Sequence, residues 1–367
     1  MIQTFDYLTL LEPIHDEVMG AMERVLRSGR LILGAETEAF EAEFAAYVGA
    51  KHCIGVSSGT TALHLTLMAL GVGHGDEVIT VSNTCVPTIS AIELTGATPV
   101  FVDVRDEDLM MDADQVEAAL TERTKCILPV HLWGQGADIT RLLEIADRAN
   151  LPLIEDCAQA QGTILHDKHA GTFGRAGCFS FYPTKNLGAY GDAGAIITND
   201  DALAQKLKRQ RMYGYTRANY AEDIGMNARI AELQAAVLRV KLRYLSGWLA
   251  RRLQIAQRYV DQIHVGGIRT PFQHPDRVQS YHQFVIRCEQ RQRVIDTLTA
   301  HEIAHGIHYP TPVHQMPPYA RLARQPLPIT ERASHEILSL PVHEALTDEE
   351  VERVIQTLNS FELQTGE

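Results

Sequence analysis

Lys185 is the first candidate for chemistry, because it lies among aromatic residues, a proline and glycines in the stretch CFSFYPTKNLGAYGDAGAI (178–196). Both ends of this stretch are apolar and predict buried strands, so we expect the lysine to be partly buried. Burial removes water from an ammonium, lowers its pKa and frees the amine as a nucleophile. Such an amine can form a Schiff base with a carbonyl compound. The stretch also fits a lysine that reaches from a loop into solvent or clamps an anion.

Asp156 is the second candidate. It ends the apolar run in LIEDCAQAQG, and Gln159 follows three residues later. In parallel α/β sheets, ligands bind at the edge formed by the carboxyl ends of the strands. A carboxylate at that edge can keep the nitrogen of a pyridine ring protonated, which makes the ring an electron sink. The alternative is that Asp156 caps the segment that follows.

The third feature is the turn GVSSGTTALH (55–64), in which a short apolar run leads through small polar residues and Gly59 into a helical pattern. The turn has neither the Gly-Lys-Ser/Thr ending of a P-loop nor a GxGxxG sequence. Free backbone N–H groups and the helix dipole still make such a turn an anion site. An ordinary N-cap by Ser58 or Thr60 explains the pattern equally well.

The three features together narrow the choice of ligand. A lysine captures an aldehyde, a carboxylate protonates a ring nitrogen, and a turn with free N–H groups binds a phosphate. Among common cofactors, pyridoxal 5′-phosphate (PLP) fits this combination best.

Short apolar runs that alternate with helical patterns must position these residues. Strands of that kind, each followed by a helix, predict a mostly parallel sheet with both faces covered, and hence an α/β fold. The expected seven strands are 52–56, 77–81, 99–104, 125–131, 152–157, 178–181 and 194–199.

The pattern changes after Asn227. Residues 229–260 predict one long helix or two nearly collinear ones, followed by a strand at 281–288 and by helices near 290–302 and 347–361. We therefore expect a large domain at 1–245 and a smaller C-terminal α/β domain at 246–367. The N-terminal segment 1–30 is a candidate to pack across both domains.

The composition excludes several classes of protein. The chain has 367 residues, of which 45% are hydrophobic and 22% charged, and its net charge is −13 at pH 7. An acidic chain without a basic patch argues against binding to nucleic acid or to a membrane. The six cysteines form no CxxC pair, so neither a metal site nor a disulfide framework is predicted. A cytoplasmic location is expected, because the N-terminus is acidic where a signal peptide is basic.

These stretches together resemble the DegT/DnrJ/EryC1/StrS family of PLP-dependent nucleotide-sugar aminotransferases, which have the aspartate aminotransferase fold of type I. The resemblance covers nearly the whole chain in order. It implies PLP as the cofactor, with pyridoxamine 5′-phosphate (PMP) as its aminated form. The matching stretches are SGRLILGAETEAFEAEFAAYVGA, VSSGTTALHL, GDEVITVSNT, GATPVFVDV, PVHLWGQGADI, IEDCAQAQG, FSFYPTKNLGAYGDAGA, MNARIAELQAAVL, IHYPTPVH and SLPVHEALTDEEV.

The resemblance assigns roles to the candidates position by position. Lys185 matches the lysine that binds the cofactor covalently, and Asp156 matches the partner of the pyridine nitrogen. Gln159 matches the residue near the phenolic oxygen of the cofactor. The phosphate-binding positions of the family are matched by Gly59, Thr60 and Ser180.

Two further positions bear on the assembly and on the ring. Asn227, in MNARI, matches an asparagine that reaches the phosphate of the neighbouring subunit, which implies a homodimer with shared active sites. The alternative is that Asn227 caps the long helix. Cys85, in SNTCVPT, stands where many members carry an aromatic residue that stacks on the cofactor ring. A thiol offers less contact area and no π overlap.

The resemblance also implies a substrate class. The stretch FYPTKNLGAYGDAGA is similar to members that aminate C3 of a keto-sugar. We therefore expect transfer of an amino group from L-glutamate, which becomes 2-oxoglutarate, to C3 of a nucleotide-linked keto-sugar, with a dTDP-3-keto-6-deoxyhexose favoured. The open alternatives are C4 of a nucleotide-linked 4-keto sugar, a UDP-3-keto-sugar and a keto-cyclitol. His308, Tyr309 and His131 are candidates for the sugar site, although packing explains each of them equally well.

Two rival functions use the same fold. Some related proteins are dehydratases with a histidine at the lysine position, which Lys185 disfavours. A non-enzymatic regulator or binding protein is disfavoured by the intact set of Lys185, Asp156 and Gln159, because binding alone needs no covalent lysine.

Overall fold

The computed structural model describes residues 1–361. The helices are α1 (Tyr7–Leu11), α2 (His15–Ser28), α3 (Ala35–Val48), α4 (Gly59–Ala69), α5 (Val86–Glu93), α6 (Ala113–Ala119), α7 (Ile139–Arg148), α8 (Asp201–Gln210), α9 (Glu232–Leu242), α10 (Leu245–Gln262), α11 (Arg291–Ala300), α12 (Pro328–Glu336) and α13 (Asp348–Asn359). The strands are β1 (His52–Val56), β2 (Glu77–Val81), β3 (Thr98–Val102), β4 (Thr124–Ile127), β5 (Ile154–Asp156), β6 (Ile164–Leu165), β7 (Lys168–His169), β8 (Ala176–Ser180), β9 (Gly194–Thr198), β10 (Tyr215–Arg217), β11 (Tyr220–Ala221), β12 (Ile268–Arg269), β13 (Arg277–Val278), β14 (Phe284–Cys288) and β15 (Ile337–Leu340).

The central sheet has the strand order β3-β2-β4-β5-β8-β9-β1. Its strands pair in one group of three, β3-β2-β4, and one group of four, β5-β8-β9-β1. Parallel bridges from Ile127 to Leu153 and from Val130 to Asp156 join the two groups. Neighbouring strands are parallel except at β9, which runs antiparallel to β8 and to β1. The α/β class is thus confirmed, and the sheet has seven strands of which one is reversed.

Aromatic packing fixes the end of β8. The ring of Phe181, just after β8, meets the rings of Phe40 and Phe44 edge to face, at centroid distances of 5.4 and 5.1 Å. Phe179, within β8, meets Phe44 in the same way at 5.2 Å. All four rings are fully buried, and such pairs add to the free energy of burial. The turn that carries Lys185 therefore leaves a rigid part of the core.

The predicted long helix is the two-helix alternative, α9 and α10, with a break at Arg243–Tyr244. It begins at Glu232 rather than at 229. Residues before it are extended, because Asn227 bridges to Met212 and Arg229 bridges to Val56. The N-cap of α9 is Ala231, so the alternative in which Asn227 caps this helix is wrong.

The last third of the chain forms a second apolar core. α10, α11 and α13 pack against β14 and β15, and Ile2 joins this core from the N-terminus. A third cluster joins α2 to α9 through Val18, Val25 and Val237 among others. The segment 1–30 therefore touches both parts of the chain. The predicted boundary at 245 stays a prediction, and residues 362–367 of the smaller domain lie outside the described residues. Within residues 1–361, every helix is too short or too polar to traverse a lipid bilayer.

Candidate active site

A cavity of about 390 Å³ lies at the edge of the central sheet where β5 and β8 end. All the predicted site residues except His131 and Asn227 line it. The lining residues that were predicted are Gly59, Thr60, Cys85, Asp156, Gln159, Ser180, Lys185, His308 and Tyr309.

Lys185 projects into this cavity from a closed turn after β8. The backbone N–H of Lys185 donates to the carbonyl of Tyr182 at 2.8 Å, and Ala189 N–H donates to the carbonyl of Phe181 at 2.8 Å. Burial lowers the pKa of the Lys185 ammonium, and the nearby Cys85 and Asp156 oppose that shift only in part. The side chain thus has the depressed pKa that a nucleophilic amine needs.

Asp156 ends β5 and is 3% exposed. Its Oδ2 accepts a hydrogen bond from the Thr88 hydroxyl at 2.8 Å, and its Oδ1 accepts from Ala158 N–H at 3.0 Å. Burial raises the pKa of this carboxyl, because these donors and the charge of Lys185 offset only part of the desolvation. Within residues 1–361 this carboxylate accepts hydrogen bonds but forms no salt bridge, so it would gain free energy from a cationic group in the cavity.

The turn between β1 and α4 faces the same cavity. Ser58 caps α4 by accepting a hydrogen bond from Thr61 N–H at 3.1 Å. The first intrahelical bond begins at Ala62 N–H, so the N–H groups of Gly59 and Thr60 precede it and remain available to an anion. A Cβ at Gly59 would lie 2.7 Å from the Cβ of Ser180. Glycine is therefore needed here to bring the turn against Ser180.

Gln159 is held between two parts of the chain. Its Oε1 accepts from Trp133 N–H at 2.8 Å, and its Nε2 donates to the Tyr309 hydroxyl at 3.0 Å. Trp133 in turn donates through Nε1 to the carbonyl of His308 at 2.9 Å. Burial lowers the pKa of His308 and raises that of Tyr309. Both side chains therefore enter the cavity wall in their neutral forms.

Two predicted candidates lie elsewhere. His131 is fully buried outside the cavity lining: its Nε2 donates to Glu155 at 3.0 Å, while its Nδ1 accepts from Ala137 N–H at 3.0 Å. The structure therefore supports a packing role for His131 and not a place in the sugar site. Asn227 is exposed and lies outside the cavity lining, and its Oδ1 accepts from Arg229 at 2.9 Å.

Glu155, next to Asp156 in β5, supports the site from behind. Its Oε2 accepts from Gly171 N–H at 2.7 Å, and its Oε1 accepts from Phe173 and Gly174 N–H at 2.9 and 2.7 Å. With His131 it has four donors, which satisfies a fully buried carboxylate.

Several lining residues were missed by sequence reasoning. They are Thr88, Tyr182, Thr184, Asp192, His282 and Gln283, among others. The signal for His282 was available, since a polar pair interrupts the apolar run YHQFVIRC. Burial and the charge of Lys185 lower the pKa of His282 well below its usual value, so it is neutral.

Replacing Thr88 by valine is expected to slow turnover about tenfold, roughly 1.4 kcal/mol in activation free energy. The change keeps the shape of the side chain and removes one donor to the Asp156 carboxylate. The measurement is kcat at saturating substrates, with Thr95→Val as a control, since the Thr95 hydroxyl donates only to the carbonyl of Ile92. Wild-type turnover in Thr88→Val would contradict a role for this hydrogen bond.

A second cavity, of about 970 Å³, adjoins the first at Gln283. Its guanidinium groups are already paired: Arg287, for example, lies 2.7 Å from Glu336 and 2.8 Å from Asp106. With its basic groups neutralised, this cavity is a poor site for a phosphate. The chemistry belongs to the smaller cavity.

Comparison with known proteins extends these observations. Residues 12–359 match the model of the DegT/DnrJ/EryC1/StrS aminotransferase family. The dTDP-3-amino-3,4,6-trideoxy-alpha-D-glucose transaminase of Micromonospora megalomicea subsp. nigra is 47% identical over 362 residues, which cover 96% of this chain and 97% of the relative.

Solved structures give the same picture. A crystal structure of S. venezuelae DesV in complex with a ketimine intermediate has a TM-score of 0.95 and 41% identity, covering 98% of this chain and 97% of that one. A crystal structure of NtdA from Bacillus subtilis with bound cofactor PMP has a TM-score of 0.88 and 32% identity, covering 94% and 80%. The fold of this chain thus occurs in proteins of known structure.

Proposed function

The chain belongs to the DegT/DnrJ/EryC1/StrS aminotransferase family, and from this premise we propose that it uses PLP to move an amino group from L-glutamate to a nucleotide-linked keto-sugar. The substrate that we favour is a dTDP-linked 3-keto-6-deoxyhexose, aminated at C3. Support comes from the relative that acts on a dTDP-3-amino sugar. The single observation that carries the proposal is that Lys185, Asp156 and the Gly59–Thr60 turn face one cavity.

The residues of the cavity fit PLP. The amine of Lys185 has a lowered pKa, the carboxyl of Asp156 is buried and forms no salt bridge within residues 1–361, and the turn offers free N–H groups. When bound, PLP supplies an aldehyde that links covalently to amines and a ring that takes up electrons as a proton leaves the adjacent carbon. Asp156 would hold the proton on the ring nitrogen, while Ser180, Gly59 and Thr60 would bind the phosphate.

Lys185 is the group that can move protons. With PLP bound, the Lys185 amine would be released when the amino donor takes its place, and it would stay in the cavity that it lines. Its lowered pKa keeps a larger share of it unprotonated near neutral pH, as a general base requires. It would take a proton from Cα of glutamate and return it to C4′ of the cofactor, and it would run the same transfer in reverse with the sugar.

The sugar would lie against the small-domain side of the cavity. His282, His308 and Tyr309 line that side with neutral polar groups. Neutral groups can exchange hydrogen bonds with hydroxyls and do not add charge beside the Lys185 amine. Cys85 lines the cavity where a ring would otherwise stack, so we propose that contact with the cofactor ring is smaller here than in members with an aromatic residue.

The test is a panel of nucleotide keto-sugars offered with L-glutamate to the PLP-loaded chain. We expect a visible absorption band that disappears when glutamate is added, and amination at C3 of a dTDP-linked 3-keto-6-deoxyhexose. A band that glutamate leaves unchanged would instead favour a binding protein on the same scaffold. Amination only of 4-keto sugars would overturn the C3 assignment.

We further propose that the active site is completed by a second copy of the chain, through Asn227. In one copy this residue lies outside the cavity and is exposed. Its Oδ1 is engaged by Arg229, and its Nδ2 donates to no group within residues 1–361. An amide in that state can donate to a phosphate oxygen in a neighbouring subunit.

Mixing two inactive variants tests this proposal. One carries Lys185→Ala and the other Asn227→Glu, with Asn227→Gln as the uncharged control of equal size. If Asn227 acts in the neighbouring subunit, a mixed dimer has one intact site. Activity should return on mixing, up to about one quarter of wild type for random reassortment of a symmetric dimer. Folded, exchanging partners that recover no activity would show that Asn227 does not act across subunits.

A further inference from the structure

Lys241, on α9, is a buried lysine outside the cavity. It is 7% exposed, and its Nζ donates to the carbonyl of Gly188. Lysine is almost never buried unless it is paired. Within residues 1–361, Lys241 forms no salt bridge, and the nearby carboxylate of Glu344 pairs with Arg252 instead. The ammonium therefore has a carbonyl, not an ion pair, as its main polar contact.

Aromatic rings form the rest of its surroundings. Nζ lies 4.9 Å from the ring centroid of Tyr190 and 5.8 Å from that of Trp248, distances at which a cation is attracted to a ring face. Tyr7 packs edge-on against Tyr190 at 5.1 Å. Glu344 supplies the nearby negative charge, and it pairs with Arg252 at 2.8 Å. The charged form of Lys241 is thus supported by two rings and one carbonyl.

Gly188 belongs to the turn that carries Lys185. The turn is tight, since a Cβ at Gly188 would lie 2.3 Å from the carbonyl oxygen of Pro183. α9 also holds Tyr190, two residues after Gly188, because Gln234 Oε1 accepts a hydrogen bond from Tyr190 N–H at 2.8 Å. On the other side, Asn186 Nδ2 donates to the carbonyl of Ser280 at 3.0 Å. The turn is therefore held at three points just after Lys185: at Gly188 and Tyr190 by side chains of α9, and at Asn186 by its own side chain bonding to Ser280.

We propose that Lys241 is a positioning residue for Lys185: its ammonium holds the carbonyl of Gly188 and so fixes the turn that presents Lys185 to the cavity. The inference rests on the proposed role of Lys185 as the proton-moving group. Lys241 does not line the cavity. It acts on Lys185 only through the backbone from Gly188 to Lys185.

The contact between Lys241 and the Gly188 carbonyl, called the anchor below, predicts a dependence of turnover on pH that a purely structural role of Lys241 would not produce. Burial lowers the pKa of Lys241 to about 8, with Glu344 opposing the shift. The folded chain therefore loses this proton at a lower pH than the unfolded chain, so its contribution to stability rises, not falls, as pH passes 8. Deprotonation meanwhile removes the cation from the rings of Tyr190 and Trp248 and leaves a neutral amine, a weaker donor, at the carbonyl of Gly188, so we expect the turn to loosen. Turnover should decline above pH 8 without a matching loss of stability.

The test uses Lys241→Met, which keeps the length of the side chain and removes the charge. Lys206→Met is the matched control, because Lys206 Nζ also donates to a carbonyl, that of Ala69 at the end of α4, at 2.8 Å, and it lies outside the cavity. In the chain without cofactor, we expect hydrogen exchange at the Ala189 and Tyr190 amides to speed up at least about tenfold in Lys241→Met only. In the loaded enzyme, we expect kcat to fall about tenfold and the decline near pH 8 to vanish.

Wild-type exchange at Ala189 and Tyr190 in Lys241→Met would overturn the proposal, whatever happens to activity. If the wild-type chain has no glutamate-dependent turnover, the proposed function fails while the exchange experiment still tests the anchor. If Lys241→Met does not fold, exchange in the wild-type chain decides: protection at Ala189 should drop between pH 7 and 9 relative to Ala62. If the ratio of protection at Ala189 to protection at Ala62 stays constant across that range, the anchor is refuted.

Discussion

Lys185→Ala is expected to abolish turnover and the covalent attachment of the cofactor. All seven lysines lie within the described residues, and Lys185 alone lines the cavity. No other amine can therefore replace it as nucleophile or as proton carrier. The measurement combines turnover with borohydride reduction of the PLP-loaded protein, followed by mass analysis of the adduct.

Lys206→Ala is the control for Lys185→Ala, since Lys206 is partly buried but lies outside the cavity. It should keep both turnover and the reducible adduct. The Lys185 variant should still bind the cofactor without a covalent bond, through the turn at Gly59 and the carboxylate of Asp156. A reducible adduct that survives Lys185→Ala would show that another lysine is the nucleophile.

Asp156→Asn is expected to slow both half-reactions by at least about a hundredfold, roughly 2.7 kcal/mol. The change preserves shape and hydrogen bonding to Thr88 and Ala158 in part, but removes the charge that would keep the ring nitrogen protonated. Single-turnover rates with glutamate and with the keto-sugar measure the two half-reactions separately. Near-normal rates in both would reject the electron-sink role of this carboxylate.

Asp156→Asn slows the reaction, but in the chain without cofactor it is not expected to lower the free energy of unfolding. Burial raises the pKa of Asp156 above its usual value of 3.8, so the folded chain binds this proton more tightly than the unfolded chain. Stability is therefore lost as pH rises from 3.8 through the raised pKa, and the charge is a cost at neutral pH. Asp156→Asn should melt no lower than wild type at pH 7 without PLP, and PLP should raise its Tm less. A large loss of stability in the unloaded variant would contradict this account.

The residues at strand ends could be predicted from the sequence, and the contacts between distant segments could not. Asp156, Ser180 and Gly59 end or follow apolar runs, and parallel strands bring their carboxyl ends to one edge. Gln159, by contrast, bonds to residues 26 and 150 positions away, a pairing that no local pattern encodes. The role of Thr88 could not be predicted, because its partner Asp156 lies 68 residues further along the chain in another strand–helix unit.

Lysines show the same limit. Lys185 stood out because its apolar and glycine-rich surroundings are local. Lys241 lies in the stretch LRVKLRYL, which is typical of a polar position on an amphipathic helix. Its burial results from α2, α10 and the Lys185 turn closing over α9, and packing of that kind follows from the tertiary fold alone. Asn227 remains a prediction, since its role depends on a second copy of the chain.

The carboxylate of Glu155 sets a limit on how this enzyme can be re-engineered. Three of its four hydrogen bonds come from the loop at Gly171–Gly174, and Gly171 has a φ of 93° and could not carry a Cβ, which would lie 2.9 Å from the ring of Phe179. A graft or insertion there would leave a buried negative charge without donors one residue from Asp156. Loop exchange aimed at new substrates should therefore spare 171–174 and use the hairpin at β10 and β11, in which every strand residue except the half-buried Tyr215 is exposed.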